Sequence, residues 1–404
     1  MRCARALALP LLLALSCSRE KQVKPVEVVF WQRGPLDATQ SVVQRFEAGN
    51  PGVRLRVERL PAVGAIDSLA AAAEAGHPPD LCELDRGEVA RFMEKGWLSD
   101  WSAGVADLAQ GSRGWELCRL GDALYGLPWL LGTRVLLYNR TLLARAGLDS
   151  TRAPETWDEL HVASARVSRL GHGVKGYGLA SGAGERFAAY MPYAWGSGGE
   201  MLSARLDSCR FGSRENVQAL AFLVSLVPYA LVAPEDSLAR EFAAGRLGFL
   251  LADTGAALDL LRPSAALRAG VGLVPRPEAD GGSHASIGSG TVLASFTRSR
   301  RKEDGLRFAR FMAEPQNVVD VASALGHGLP ASLAADSAQA ARGGPEARFL
   351  EQLETTRFAP IRRDGMEMEA AIDSLVGDAL ARRCAPRRAV AAADSLIRSL
   401  GVAR

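Results

Sequence analysis

The 404-residue chain lacks several features that mark common protein classes. Its formal net charge is only +3, so it has none of the basic excess that nucleic-acid binding requires. Its five histidines are scattered and include no H-E-x-x-H pair, which leaves no zinc-hydrolase motif. No G-x-S-x-G elbow and no phosphate loop occurs. These absences weigh against a nucleic-acid binder and against the common hydrolase and nucleotide-binding classes.

Cysteine is sparse and poorly grouped. Beyond the N-terminal region the cysteines lie far apart and form no C-x-x-C, namely Cys82, Cys118, Cys209 and Cys384. A metal knuckle or a redox pair is therefore not expected, and neither a metal nor a cofactor is predicted. Disulfide pairing after export and single buried cysteines that act as small hydrophobic residues are both compatible with the sequence.

The first 16 residues have the pattern of an export signal. Arg2 and Arg5 precede an apolar run that is too short to span a membrane. The run ends in Ala14-Leu15-Ser16-Cys17, which resembles a bacterial lipobox and predicts Cys17 as the acylated first mature residue. Residues 17–25 then form a polar tether. The alternative is an ordinary secretory leader, but a lipid-anchored protein in the periplasm or on the outer face of the cell membrane is favoured.

Strand and helix patterns alternate after the tether. Residues 26–31 and 80–84 are short apolar runs, and between them residues 53–57 alternate apolar and charged side chains. This β-α-β-α-β rhythm predicts an α/β fold with a mainly parallel sheet flanked by helices. Ligands bind beyond the carboxyl ends of strands in such sheets. That rule selects Trp31, Gln32, Arg33, Asp85 and Arg86 as candidate binding residues.

Residues 121–160 combine a segment broken by Gly and Pro, a buried strand and two helix starts. Asn139 is expected to N-cap the first helix, and Gly147 to end it in the left-handed conformation. Thr156 and Glu159 have the spacing of a capping box. The letters G-x-G-x-x-G at residues 171–176 follow a helix and precede a strand, the reverse of a dinucleotide site, so we interpret them as a helix end and a turn.

This order of motifs resembles the hinge region of the extracellular solute-binding proteins of the maltose-binding-protein-like family, in which Y-G-L-P, a ligand loop, Y-N, A-G-L and P-x-T-W-x-E-L follow one another. The resemblance implies a two-lobe periplasmic-binding-protein-like fold of type II. Each lobe is expected to be a mainly parallel sheet flanked by helices, with a hinge that crosses near Leu131, Gly288 and Gly328. The implied boundaries are 26–131 and 285–332 for lobe 1, and 132–284 and 333–404 for lobe 2.

The resemblance also implies a function. We expect the substrate-binding component of an ABC importer, a monomer that captures a mono- or oligosaccharide between its lobes and delivers it to transmembrane permease subunits. A sensing protein for another small polar solute is the alternative. A glycoside-active enzyme that uses Asp85 and Asp253 is disfavoured, because both residues fall where the family binds sugar hydroxyls. No catalytic residue and no nucleic-acid partner is expected.

The resemblance adds further residues to the candidate binding site. Trp31, Trp129 and Trp195 are expected to stack against a sugar ring. Asp85 has an alternative role as the N-cap of the next helix, and Arg363 has one as part of a solvated loop. Asp253-Thr254-Gly255 replaces the Gly-Pro-Trp of many family members. Beyond the strand-end residues, the set comprises Trp129, Gly132, Thr133, Arg186, Trp195, Gly198, Asp253, Thr254, Ser289 and Arg363.

Overall fold

The computed structural model describes residues 24–61, 63–261, 268–278, 281–341 and 343–401. The predicted export signal, Cys17 and most of the predicted tether lie outside the described residues. Across the described ranges, none of the helices combines the length and the apolar character that crossing a membrane demands.

Strands and helices alternate along most of the described chain. The strands are β1 (Val26–Gln32), β2 (Val53–Arg59), β3 (Leu81–Asp85), β4 (Arg119–Leu120), β5 (Ala123–Leu124), β6 (Leu127–Asn139), β7 (Lys175–Ala180), β8 (Ala230–Ala233), β9 (Leu247–Asp253), β10 (Ala269–Gly272), β11 (Ser286–Ala294), β12 (Leu329–Pro330) and β13 (Thr356–Phe358). The helices are α1 (Gln40–Gly49), α2 (Ala65–Glu74), α3 (Arg86–Glu94), α4 (Ser102–Val105), α5 (Arg140–Arg145), α6 (Trp157–Ser168), α7 (Glu185–Gly196), α8 (Arg214–Leu226), α9 (Glu235–Ala243), α10 (Thr254–Leu261), α11 (Lys302–Met312), α12 (Pro315–Leu325), α13 (Asp336–Ala340), α14 (Glu346–Glu354), α15 (Gly365–Leu380) and α16 (Pro386–Ser399).

One continuous sheet organises the molecule, in the order β2-β1-β3-β11-β6-β9-β7-β8. At one end β1 pairs in parallel with β2 and β3, and at the other β7 pairs in parallel with β8 and β9. Between these halves β11 and β6 run antiparallel to their neighbours. The predicted α/β class is confirmed, and the arrangement is that of the two-lobe binding-protein fold.

Strand β6 connects the two halves. All of its 13 residues are buried. It pairs with β11 from Leu127 to Thr133 and with β9 from Arg134 to Tyr138, so a single strand belongs to both lobes. Strand β12 adds to β6 beside Leu131. The hinge positions expected from the sequence, Leu131, Gly288 and Gly328, therefore lie on or directly beside β6, β11 and β12. These three strands form the hinge ribbon.

Local signals in the sequence place several helix ends. The Asn139 side chain accepts the N–H of Leu142 at 3.1 Å and caps α5, and Gly147 has a φ of 70°. At α6 the Thr156 hydroxyl accepts the N–H of Glu159 at 3.3 Å. The Glu159 carboxylate accepts the N–H of Glu155 at 2.8 Å and not that of Thr156, so only the Thr156 half of the predicted capping box forms.

The helices pack on the sheet in two hydrophobic clusters. Helix α3 buries Val89 and Phe92 in the cluster that also contains β1 and β3. Helix α15 buries Met368 and Ile372 in the other cluster, together with parts of α7, α8 and α16. Among the described residues the cysteines are all free, which leaves the disulfide alternative unrealised.

Candidate functional site

A cavity of about 380 Å³ lies where the carboxyl ends of β1, β3 and β9 meet the hinge ribbon. Its volume falls within the roughly 300–1,000 Å³ typical of small-molecule sites. It contains five of the predicted binding residues. The lining consists of Arg33, Gly34, Glu83, residues 130–132, 253–255 and 289–291, Leu325, His327 and Gly328.

Arg33 is the cation of this cavity, and carboxylates hold it in place. Its Nη2 lies 3.3 Å from Asp85 Oδ2 and also donates a very short hydrogen bond to Glu88 Oε2. Its Nε has no partner among the described residues. Burial lowers the pKa of Arg33, but the hydrogen bond and charge of Glu88, with the charges of Asp85 and Glu83, raise it above its ordinary value. Arg33 is therefore a fixed positive group.

Glu83 is the buried acid of the cavity. The residue is 5% exposed, and its Oε2 accepts the backbone N–H of Arg33 at 2.9 Å. Burial raises the pKa of its carboxyl, while that hydrogen bond and the charge of Arg33 partly offset the rise. Burial likewise raises the pKa of Glu88. A buried acid in a cavity can accept hydrogen bonds from hydroxyl groups of a solute.

Asp253 and Thr254, at the end of β9 and the start of α10, form another wall of the cavity. Asp253 Oδ1 accepts the N–H groups of Gly255 at 2.8 Å and of Ala256 at 3.1 Å. The Thr254 hydroxyl accepts the N–H of Thr133 at 2.9 Å and donates to its carbonyl at 3.0 Å. Thr133 is 1% exposed and does not line the cavity, and its backbone is held by these two bonds.

Gly132 and Ser289 face each other across the hinge ribbon. A Cβ built on Gly132 would lie 2.7 Å from Ser289 Oγ and 3.8 Å from Thr254 Oγ1. The absence of a side chain at Gly132 thus keeps this part of the cavity open.

Two other residues at the strand ends bind structural partners. Gln32 is 1% exposed, donates to the Pro35 carbonyl at 2.6 Å and accepts from the Thr39 hydroxyl at 2.6 Å. Asp85 forms a complete capping box with Glu88 at the start of α3, and its Oδ1 accepts the Glu88 N–H at 2.9 Å. The structure therefore realises the capping alternative for Asp85, while its Oδ2 still supports Arg33.

The predicted stacking rings do not line this cavity. Trp129 is 1% exposed, because β6 is buried along its whole length and places the indole in the core. Trp31 is partly buried on β1 and lies outside the cavity wall. Among the described residues that line the cavity there is no Phe, Tyr or Trp.

Trp195 and Gly198 line a separate cavity of about 750 Å³, which shares no lining residue with the first. The Arg357 guanidinium lies 4.7 Å from the centre of the Trp195 ring. It also donates to both carboxylate oxygens of Glu200 at 2.8 Å. The face of Trp195 is thus covered by a cation, and the structure does not bring this ring together with Arg33.

The remaining predicted cations are engaged elsewhere or are exposed. Arg186 binds Asp373 of α15 through Nε at 2.9 Å and through Nη2 at 2.5 Å. Arg86 binds Glu369 of the same helix. Arg363 is exposed, as its loop alternative predicts. None of the three lines the 380 Å³ cavity.

Three polar residues in or beside the cavity, Glu83, Glu88 and His327, were not among the predicted binding residues. Glu83 is an acid inside an otherwise apolar strand, which is a signal of a functional or paired group. Glu88 stands three residues after Asp85, the spacing of a capping box. His327 directly precedes Gly328, one of the expected hinge positions, and this placement separates it from the other histidines.

Comparison with known sequences identifies the family. The profile described as bacterial extracellular solute-binding protein matches residues 33–319, more than half of the chain. A binding protein of Brucella abortus (strain 2308) is 24% identical over 282 residues, which are 68% of this chain and 67% of that protein. A lipoprotein of Streptomyces antibioticus is 27% identical over 233 residues, which are 54% of this chain and 50% of that protein. The chain thus spans about half the length of that second relative.

Solved structures share the fold at low sequence identity. The cyclic alpha-maltosyl-1,6-maltose binding protein from Arthrobacter globiformis superposes with a TM-score of 0.84 at 23% identity, covering 93% of this chain and 98% of that one. UgpB from Mycobacterium tuberculosis, solved in complex with glycerophosphocholine, gives a TM-score of 0.76 at 21% identity, covering 93% and 98%. The fold, the cavity and the profile match together define the class: this chain belongs to the family of bacterial extracellular solute-binding proteins.

Proposed function

We propose that this protein is the substrate-binding component of an ABC importer and that it captures a carbohydrate in the cavity beside the hinge ribbon. The observation that carries the proposal is the convergence of Arg33, Glu83 and Asp253 on one cavity between the lobes. A sugar offers hydroxyl groups that both donate and accept hydrogen bonds. Buried acids and a fixed guanidinium supply complementary acceptors and donors.

Binding without catalysis is the mechanism we propose. The two lobes rotate about β6 and β11, close over the solute, and present the closed form to a membrane permease. The lobe boundaries expected from the sequence are part of this proposal. So is export with a lipid anchor at Cys17, which is supported by the similarity to the Streptomyces lipoprotein.

A second candidate is a solute of the glycerophosphate type. It is favoured by the lack of Phe, Tyr and Trp among the described lining residues, since these rings are the usual stacking partners of a sugar face. The structural neighbour solved with glycerophosphocholine points in the same direction. Against it, the guanidinium of Arg33 is already bound by Asp85 and Glu88, and Glu83 adds negative charge beside any phosphate.

A thermal-shift screen tests the proposal. The panel comprises glucose, maltose, trehalose, glycerol 3-phosphate and glycerophosphocholine at graded concentrations. A solute that binds the native state raises the melting temperature with its concentration. A saccharide that stabilises the protein supports the first candidate, and stabilisation by the phosphates alone supports the second. No shift with any member of the panel would count against both.

A further inference from the structure

Arg86 and Glu369 form an ion pair between elements of the two lobes. The Nη2 of Arg86 lies 2.6 Å from Oε1 and 2.7 Å from Oε2 of Glu369, a residue 283 positions away in sequence. The side chains are only 25% and 19% exposed. Arg86 neighbours Asp85, which contacts Arg33 of the cavity. The pair therefore bridges the lobes close to the proposed solute site.

The first-lobe end of this bridge is fixed in place. Arg86 is the first residue of α3, directly after the Asp85 N-cap, and the helix is anchored by Val89 and Phe92 in the core. A cation at a helix N-terminus is disfavoured by the helix dipole. The charge of Arg86 thus opposes its own helix and finds its compensating partner across the cleft.

The second-lobe end is equally rigid. One turn after Glu369, Asp373 accepts Arg186 Nε at 2.9 Å and the backbone N–H of Phe187 at 2.9 Å, which ties α15 to α7. Met368 and Ile372, the residues directly before Glu369 and Asp373, are buried in the core. Glu369 and Asp373 thus point toward two arginines, one from each lobe.

We propose that Arg86 and Glu369 form an interlobe latch that favours closure of the cleft, and that Arg86 acts as a closure residue and not as a direct solute contact. The inference rests on the proposed function, because closure matters for a protein that encloses a solute. The latch adds its interaction energy to the closed form whatever the solute is. Its removal therefore lowers the affinity for every solute by the same factor.

Small-angle X-ray scattering of the solute-free protein tests the latch. Glu369→Gln keeps the shape of the side chain and removes its charge. We expect the ratio of closed to open molecules to fall about tenfold. This corresponds to the lower end of the range for a hydrogen bond to a charged group, because both side chains keep some contact with water. The radius of gyration should rise accordingly. Raising the salt concentration to about 1 M should open the wild type and leave Glu369→Gln unchanged.

Two further variants make the test specific. The exchange Arg86→Glu with Glu369→Arg restores an opposite-charge pair and should restore the wild-type radius. Glu367→Gln is the matched control, since Glu367 is an exposed acid on the same helix, and it should leave the radius unchanged. Equal radii for the wild type and Glu369→Gln, or an exchange variant that stays open, would overturn the proposal. A failed solute screen would contradict the proposed function and leave this solute-free result standing.

Discussion

Asp85 offers a sharp test because its two carboxylate oxygens have different partners. Oδ1 caps α3 through the Glu88 N–H, and Oδ2 lies 3.3 Å from Arg33 with the Asp85 side chain 51% exposed. Loss of an N-cap costs about 1 kcal/mol, and a pair this exposed contributes about 0.2–1 kcal/mol. Asp85→Ala should therefore lower the free energy of unfolding by about 1–2 kcal/mol. Asp85→Asn keeps a capping side chain and should lose about 1 kcal/mol or less.

Urea denaturation of the solute-free variants measures these differences, and calorimetric titration with a solute found by the thermal-shift screen measures binding. Glu88 continues to hold Arg33 in both variants, so affinity should change less than stability does in Asp85→Ala. The capping interpretation fails if Asp85→Ala is as stable as the wild type while Asp85→Asn loses about 1.5–3 kcal/mol of binding energy, the range for a direct charged hydrogen bond.

Three further predictions concern stability and anchoring. Burial raises the pKa of Glu83 above its ordinary value of 4.5. Between pH 4.5 and the pKa in the folded state, the folded chain therefore binds more protons than the unfolded chain, and the stability due to this group is lost as the pH rises through that window. Glu83→Gln should therefore melt higher than the wild type at pH 8 with a smaller difference at pH 4; a pH-independent difference would contradict this. Gly176→Ala should lower the free energy of unfolding by about 1–3 kcal/mol or more in urea denaturation, because the added Cβ would lie 2.1 Å from the Ser164 carbonyl oxygen. Gly49→Ala is the control: its Cβ would meet nothing within 4 Å, so the change should be neutral or slightly stabilising. Cys17→Ser should move the protein from the membrane to the soluble fraction on cell fractionation, and a wild type already soluble would refute the anchor.

Local patterns predicted the α/β class because the signals that set it are local, whereas the two-lobe fold was expected from the family resemblance. Apolar runs of strand length alternate with helix patterns, and the side chain of Asn139 caps a helix through a bond three residues away. The rule that ligands meet the ends of parallel strands also selected Arg33 correctly as a cavity residue.

The partners of the predicted site residues were less accessible to sequence reasoning. Arg86 and Arg186 are bound by acids 283 and 187 residues away, and no periodicity reveals contacts at that distance. Trp129 lies in the run of apolar residues that begins β6, and this run has no alternation to separate a buried face from an open one. The role of Glu88 could be predicted from the sequence, because its spacing from Asp85 is the same capping-box spacing that separates Glu159 from Thr156.

The proposed solute site is tested most directly by blocking the cavity. Gly132→Leu places a side chain into the space beside Ser289 and Thr254. Ala204→Leu is the matched control, because this exposed residue lines the separate 750 Å³ cavity. Calorimetric titration should use the saccharide that raises the melting temperature most, after urea denaturation has shown that both variants are folded. The account predicts that Gly132→Leu loses binding while Ala204→Leu keeps the wild-type affinity. Unchanged affinity in Gly132→Leu would contradict it.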